Sequence, residues 1–238
     1  FNGEKIVRLI GILALIFAFI APAQAETGPK EVVKAVATKV LTEIVINRDK
    51  LEQGSEFLSG LVEEHMLPII DQERMAKLSL KKQWKTLTEG QKQDFIEGFK
   101  RLMIKTYTGA FKAYTGQDVT YGETRFNKSG SKAIVSSAIH FPGSSPVVLK
   151  YSLYQAEPGK WMIYDANLAG LGVVKTYRVQ FAEQIQKDGI DKTCQREYHG
   201  GQGNDANNNG QVVNFELGKK QRQQGDDKPH RQAPGNTP

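Results

Sequence analysis

Apolar residues recur at three- and four-residue steps through residues 29–114, which predicts a run of helices. Pro29 suits the first turn of the first helix. The apolar stripe of that helix consists of Val33, Val36, Val40, Leu41 and Ile44. A second helical stretch is interrupted by Pro68, and a third covers residues 71–84. The first half of the chain is therefore expected to be helical.

The clearest helical signal begins at Thr88. Gln91 follows three residues later, so the two side chains can form a capping box. The apolar positions of this helix are Phe95, Phe99, Leu102, Met103, Tyr107, Phe111 and Tyr114. Their spacing predicts one long amphipathic helix.

After Gly116 the apolar residues alternate and turn signals recur, which predicts strands. The four predicted strands are residues 119–126, 132–141, 147–156 and 160–168. Helical spacing returns near Val173 and stops at Gly189. The order predicts an α+β fold, in which N-terminal helices, a four-stranded curved antiparallel sheet and a C-terminal helix pack together.

The strands carry apolar residues on both faces. Leu149 and Tyr151 alternate with Val148 and Tyr154, whereas a sheet covered on one side is normally polar on the other. Either the sheet curls strongly, or the helices leave an apolar pocket.

The two ends differ from this domain of residues 26–193. Residues 1–25 combine Lys5 and Arg8 with an apolar run and Ala23-Gln24-Ala25, which predicts a cleaved signal peptide and a soluble exported protein. Residues 194–238 are rich in Gly, Asn and Gln, which predicts a polar disordered tail or a translated frameshift.

Catalytic and metal-binding motifs are not found in the sequence. The Ser-x-x-Lys strings at Ser79 and Ser129 lack the companion motifs of a penicillin-binding site. His65 and His140 are the histidines of the domain, too few for a histidine metal site without carboxylates. No enzyme activity, catalytic residue, metal or cofactor is predicted.

The net charge of +6 is small, but basic residues cluster along the predicted helices. One group contains Arg74, Lys77, Lys81, Lys82 and Lys85, and another contains Lys100, Arg101, Lys105 and Lys112. Each group is either a solvated helix face or a surface for anionic lipid headgroups or an acidic partner. An exported protein without a recognition motif is not expected to bind nucleic acid.

An ordered set of residues resembles the MlaC, or toluene-tolerance, family of periplasmic phospholipid-binding proteins. The set comprises Asp71, Met75, Trp84, Thr88, Gln91, Phe95, Phe99, Tyr107, Gly159 to Asp165, Gly170, Tyr177, Arg178 and Phe181. The resemblance covers about residues 1–193. It departs from the family after Gly189, where the family helix stays apolar and this chain becomes polar.

The resemblance implies a phospholipid carrier of the Mla ABC transport system, which maintains outer-membrane lipid asymmetry. Its implied partners are an inner-membrane ABC transporter complex and an outer-membrane lipoprotein with its porin. The alternative is an exported structural or partner-binding domain with a filled core and no ligand.

A carrier must enclose the acyl chains between helices and sheet. The residues expected to line this pocket are on apolar faces of elements that should pack together. They are Leu102, Met103, Tyr107, Leu149, Tyr151, Leu153, Ile163, Val174 and Phe181.

Overall fold

The computed structural model describes residues 27–54 and 56–193. The helices of this part are α1 (Pro29–Ile46), α2 (Arg48–Gln53), α3 (Glu56–Leu61), α4 (Gln72–Leu80), α5 (Glu89–Ala113) and α6 (Val173–Asp188). A π-helical turn (Val62–Met66) and a 3₁₀ turn (Leu67–Ile69) connect α3 to α4, and a second 3₁₀ turn (Gln83–Thr86) precedes α5. The predicted signal peptide and polar tail lie outside the described residues.

The strands form one antiparallel sheet. They are β1 (Asp118–Tyr121), β2 (Arg125–Phe126), β3 (Lys132–His140), β4 (Val147–Glu157), β5 (Lys160–Leu168) and β6 (Leu171–Gly172). Their order is β1-β3-β4-β5-β6, and β2 also pairs with β3. The predicted α+β fold with an antiparallel sheet is confirmed, although the number of strands differs from four.

The predicted strand at residues 119–126 is divided in two. Tyr121 pairs with Ser137, and Arg125 pairs with Ile134. Residues 122–124 therefore lie opposite two residues of β3, one residue more than a continuous ladder would have. This extra residue interrupts the pairing and separates β1 from β2. At the other edge, the two residues before the last helix form the additional short strand β6.

Helix α1 covers part of the sheet. Val33 packs with Val135 and Leu153, both of which are fully buried, and with Trp161 and Ile163. The second half of α1 packs against α2 and α3. The buried residues of that contact are Val40, Ile44, Leu51, Leu58, Leu61 and Val62. The predicted stripe of α1 therefore contacts two different surfaces.

The centre of the domain is the contact between α5 and α6. The ring centroids of Phe95 and Phe181 are 5.0 Å apart, and those of Phe99 and Tyr177 are 5.1 Å apart. Both pairs meet edge to face, which is a favourable arrangement of aromatic rings. Buried Thr106 and Tyr177 share a hydrogen bond of 3.0 Å between their hydroxyl groups.

The predicted ends of these helices are confirmed. Thr88 caps α5, and Gln91 completes the capping box. Asp165 on β5 accepts a 3.1 Å hydrogen bond from the Val174 amide, which satisfies an N-terminal donor of α6. Gly189 ends α6 at a φ of 82°, a conformation that glycine adopts without strain.

Asp71 fixes the start of α4 to the sheet. Its backbone amide donates to the Ile163 carbonyl at 2.8 Å, and its carboxylate accepts from the Arg74 amide at 2.9 Å. The Tyr154 hydroxyl donates to the same carboxylate at 2.6 Å, and this bond raises the pKa of Tyr154. The Arg74 guanidinium stacks over the Tyr154 ring at 4.0 Å. Helix α4 therefore has a defined position beside the sheet and α5.

Candidate ligand-binding cavity

A partly enclosed cavity lies between α5 and the chain segment from the π-helical turn to α4. Its volume is about 130 Å³. The lining residues come from both sides of this gap. They are Val62, Met66, Leu67, Ile70, Gln72, Met75, Ile96, Phe99, Lys100, Met103, Ile104, Tyr107 and Phe111. The exposed surface of the cavity is almost wholly apolar.

Methionine contributes strongly to this lining. Met66, Met75 and Met103 line the cavity and account for three of the four methionines in the chain. A methionine side chain has three rotatable bonds and a polarizable sulfur, so it fits ligands of different shapes. Both walls of the cavity therefore carry side chains that can adapt to a flexible apolar ligand.

One wall has an irregular backbone. Val62 and Met66 belong to the π-helical turn, and Leu67 begins the 3₁₀ turn that contains Pro68. Isolated π-helical turns are rare in proteins, and those that occur are often found at functional sites. Because this wall is not a regular helix, it cannot pack along α5 as two α-helices do.

The charge of Lys100 is neutralised at the edge of the lining. Its ammonium lies 2.6 Å from a Glu97 carboxylate oxygen and 3.3 Å from one of Glu63. Burial would lower the pKa of Lys100, but the hydrogen bonds to Glu97 and Glu63 outweigh this effect and raise it. Glu97 is on α5 with Lys100, whereas Glu63 is on the π-helical turn. The second ion pair therefore connects the two walls.

Tyr107 is the other polar group of interest on α5. Burial raises its pKa well above the usual range, so the phenol stays neutral at physiological pH. Apart from the charge held by Lys100, the lining therefore contains the neutral polar groups of Tyr107 and Gln72. This chemistry suits an apolar ligand that carries a few polar atoms.

The structure places the nine predicted lining residues in three environments. Met103 and Tyr107 line the cavity. Leu102, Val174 and Phe181 belong to the adjoining core between α5 and α6.

The four strand residues lie elsewhere. Leu153, Ile163 and Tyr151 pack in the cluster beneath α1. Leu149 is half-buried on β4, where it pairs with Ser137 and Leu168. The cavity therefore lies between helical segments and reaches the sheet through Ile70, which forms an isolated bridge with Ile163. Whether the strand residues contact a ligand stays a prediction.

Eleven lining residues were not among the predicted ones. For those on α5, the spacing of residues along the helix could have indicated them. Phe95, Phe99 and Leu102 follow one face of α5, which is the face that meets α6. A second stripe lies on the neighbouring face, at positions 96, 100, 103, 107 and 111. The wall formed by residues 62–70 had no such signal, because its turns interrupt the helical period.

Residues 27–54 and 56–193 contain no group of three or more His, Cys, Asp or Glu side chains that could hold a metal ion. The hydroxyl of Ser79 is buried and donates to the Met75 carbonyl at 2.9 Å. His140 shares a 2.8 Å hydrogen bond with Thr120 at the surface. In the same part of the chain, every helix is too short or too polar to cross a bilayer.

Comparison with known proteins gives a consistent result. The toluene tolerance protein ttg2D of Pseudomonas putida is 25% identical over 186 residues, which cover 77% of this chain and 86% of that protein. The intermembrane phospholipid transport system binding protein MlaC of Haemophilus influenzae is 23% identical over 190 residues, 79% of this chain and 89% of that protein.

A solved structure has the same fold. It is a phospholipid-binding protein from Ralstonia solanacearum in complex with a phospholipid, at a TM-score of 0.66 and 30% identity. The alignment covers 71% of this chain and 93% of that chain. The family model described as MlaC protein matches residues 34–196, which include α4, α5, the sheet and α6. The chain therefore belongs to the MlaC family.

Proposed function

We propose that this protein is a periplasmic carrier that binds phospholipid and shuttles it between outer-membrane and inner-membrane complexes. The observation that carries this proposal is the apolar cavity between α5 and residues 62–75. The names of the relatives, a phospholipid transport binding protein and a phospholipid-binding protein, support the same class of ligand.

The energetics of lipid transfer explain why such a cavity is needed. Each methylene group taken from an apolar environment into water costs about 0.8 kcal/mol. Withdrawing one acyl chain of about sixteen carbons from a bilayer therefore costs on the order of 10 kcal/mol. The cavity offsets this cost only if the acyl chain moves from the bilayer interior into a lining that is equally apolar. The charged headgroup stays near water, because its burial without partners is costly.

The size of the cavity adds a requirement. An apolar cavity of about 150 Å³ holds a ligand of the size of benzene. The observed volume of about 130 Å³ therefore holds only part of an acyl chain. Loading a phospholipid requires the walls to separate, and the wall of residues 62–70 is the one without regular helical packing.

The proposed partners follow from the membership in the MlaC family. They are an inner-membrane ABC transporter complex and an outer-membrane lipoprotein with its porin. The exchange of lipid with them would maintain the lipid asymmetry of the outer membrane. This role needs no catalytic group, so we propose no enzyme activity.

Mass spectrometry of lipids extracted from the purified protein tests the proposal. We expect phospholipid to co-purify with the protein and the protein to move labelled phospholipid between two populations of vesicles. The alternative, a structural or partner-binding domain with a filled core, predicts neither result. A folded protein that carries no lipid and transfers none would contradict the carrier function.

A further inference from the structure

Four exposed lysines follow one another from the last turn of α4 to the 3₁₀ turn before α5. They are Lys77, Lys81, Lys82 and Lys85. No carboxylate of the described residues lies within 4.0 Å of any of these ammonium groups. Glu73, which lies four positions before Lys77 on α4, also forms no ion pair with it. These four residues are called the lysine patch below.

The basic residues of α5 are arranged differently. The Lys92 ammonium lies 2.6 Å from a Glu89 oxygen, and Lys100 is held by Glu97 and Glu63. Two helices that look equally basic in sequence therefore differ in their free charge. Three cations of α5 lie within 4.0 Å of a carboxylate, namely Lys92, Lys100 and Lys112, although exposed Lys105 does not. In the lysine patch, by contrast, none of the four ammonium groups is paired in this way.

The backbone at Lys81 adds an independent observation. Its φ of 52° and ψ of −114° are suited to glycine and are strained for any other residue. The flanking Leu80 and Trp84 are buried in the central core, so the turn has a fixed position. A lysine therefore occupies a position where glycine would be more stable. Such strain is commonly retained at functional sites.

The composition of the lysine patch distinguishes between a protein partner and an anionic membrane surface. Protein interfaces have an apolar centre with aromatic anchors and are depleted in lysine. Here Leu80, Trp84 and Leu87 are buried, and partly buried Leu78 packs against the same core. Residues 77–87 therefore expose no large apolar side chain that could form an apolar centre. Lysines without an apolar centre fit a diffuse anionic surface, because flexible ammonium groups do not need fixed acceptors. We propose that the lysine patch docks this protein on the surface of anionic phospholipid bilayers.

This docking surface is separate from the cavity. Lys77 comes two residues after the cavity-lining Met75, which places it about 200° around α4. Lys77 therefore lies on the far side of α4 from Met75, and none of the four lysines lines the cavity. Loss of bilayer docking and loss of bound lipid are consequently distinguishable outcomes, and each can fail without the other.

Vesicle co-sedimentation of the purified protein tests the proposal. The probes are vesicles of phosphatidylcholine alone and vesicles that also contain phosphatidylglycerol. We expect binding to the second kind only, at low ionic strength, and release at high salt, because surface charges are screened. Absence of binding to the anionic vesicles, or equal binding to both kinds, would overturn the proposal. The first result would point instead to an acidic protein partner.

Charge-reversal variants localise the effect. The double substitution Lys82→Glu with Lys85→Glu should weaken binding to anionic vesicles by about tenfold or more, since each cation near the surface contributes about fivefold. The matched control, Lys128→Glu with Lys132→Glu, makes the same charge change at exposed residues of the β2–β3 turn and the start of β3, and it should alter binding far less. An equal loss in the control would mean that net charge, and not the lysine patch, causes binding.

A second variant addresses folding. Lys81→Gly relieves backbone strain and removes a single cation, so it should raise the melting temperature while lowering vesicle affinity by about fivefold. The lipid that co-purifies with the protein should stay unchanged in this variant. A more stable Lys81→Gly protein with undiminished vesicle binding would contradict a docking role for this residue.

Discussion

Two largely apolar regions of this domain pack in different ways. Beneath α1, Val135 and Leu153 of the sheet are fully buried against Val33. Beside α5, the side chain of Met103 and the ring of Tyr107 remain partly exposed, and both residues line the cavity. The comparison teaches that unfilled space next to an apolar face, and not the apolar face itself, distinguishes a ligand wall from ordinary core.

The connection between α3 and α4 explains the difference. On the sheet side, the first half of α1, a regular helix of 18 residues, packs on the strands. On the cavity side, α5 faces a π-helical turn, a 3₁₀ turn and Pro68. Regular elements interdigitate at close-packed density, whereas successive changes of helical period leave gaps between side chains.

The largest expected effect concerns the filled region. Leu153→Ala should lower the free energy of unfolding by about 2–5 kcal/mol, since it creates a cavity in a fully packed site. Met103→Ala should cost less than about 2 kcal/mol, because Met103 already adjoins open space. Urea unfolding of both variants measures the difference. Equal losses would mean that the two regions are packed alike and would break the comparison.

A second prediction concerns the contact that sets the position of α4. Asp71→Ala removes the N-terminal cap of α4 and the hydrogen bond from Tyr154, so we expect a loss of about 1–2 kcal/mol in the free energy of unfolding. Tyr154→Phe removes only the second bond and should cost about 1 kcal/mol or less. Thermal unfolding followed by circular dichroism compares the two. A loss in Tyr154→Phe as large as that in Asp71→Ala would contradict a capping role.

The smallest expected effect concerns the ion pair between the cavity walls. Glu63→Gln should change the free energy of unfolding by less than about 1 kcal/mol, because a partly exposed ion pair contributes little. It should nevertheless increase amide hydrogen exchange in residues 62–70, since the link from the π-helical turn to Lys100 is lost.

Glu97→Gln is the matched control for this prediction. It removes a carboxylate from the same Lys100 ammonium but leaves the link between the walls in place. Exchange in residues 62–70 should therefore stay near that of the parent protein. The interpretation of Glu63 as a connection between the walls fails if both variants exchange equally fast.

Much of the fold was predictable from local signals. Thr88 and Gln91 marked the start of α5, Gly189 marked the end of α6, and alternation after Gly116 indicated the sheet. These features depend on residues close together in the sequence. The division of the first strand was not predictable in this way, because the break between Tyr121 and Arg125 is visible only in the pairing with β3.

The position of the cavity was only partly predictable. Helical spacing placed Met103 and Tyr107 on an apolar face of α5, and both line the cavity. The same reasoning could not show that Leu153 packs with Val33 and is fully buried, since this contact joins residues far apart in the sequence. The opposite wall of residues 62–70 gave no periodic signal because its backbone leaves the α-helical period.

The most direct test of the account is the phospholipid content of two methionine variants. Met103→Glu places a carboxylate in the apolar lining, where a charge without a partner is costly beside acyl chains. Met162→Glu makes the same change on β5, outside the lining.

Lipid mass spectrometry of both proteins, with circular dichroism to verify their folds, compares them directly. The account predicts that Met103→Glu loses most of its co-purified phospholipid and that Met162→Glu retains it. A folded Met103→Glu protein that carries as much phospholipid as the parent would contradict the claim that this cavity binds the lipid.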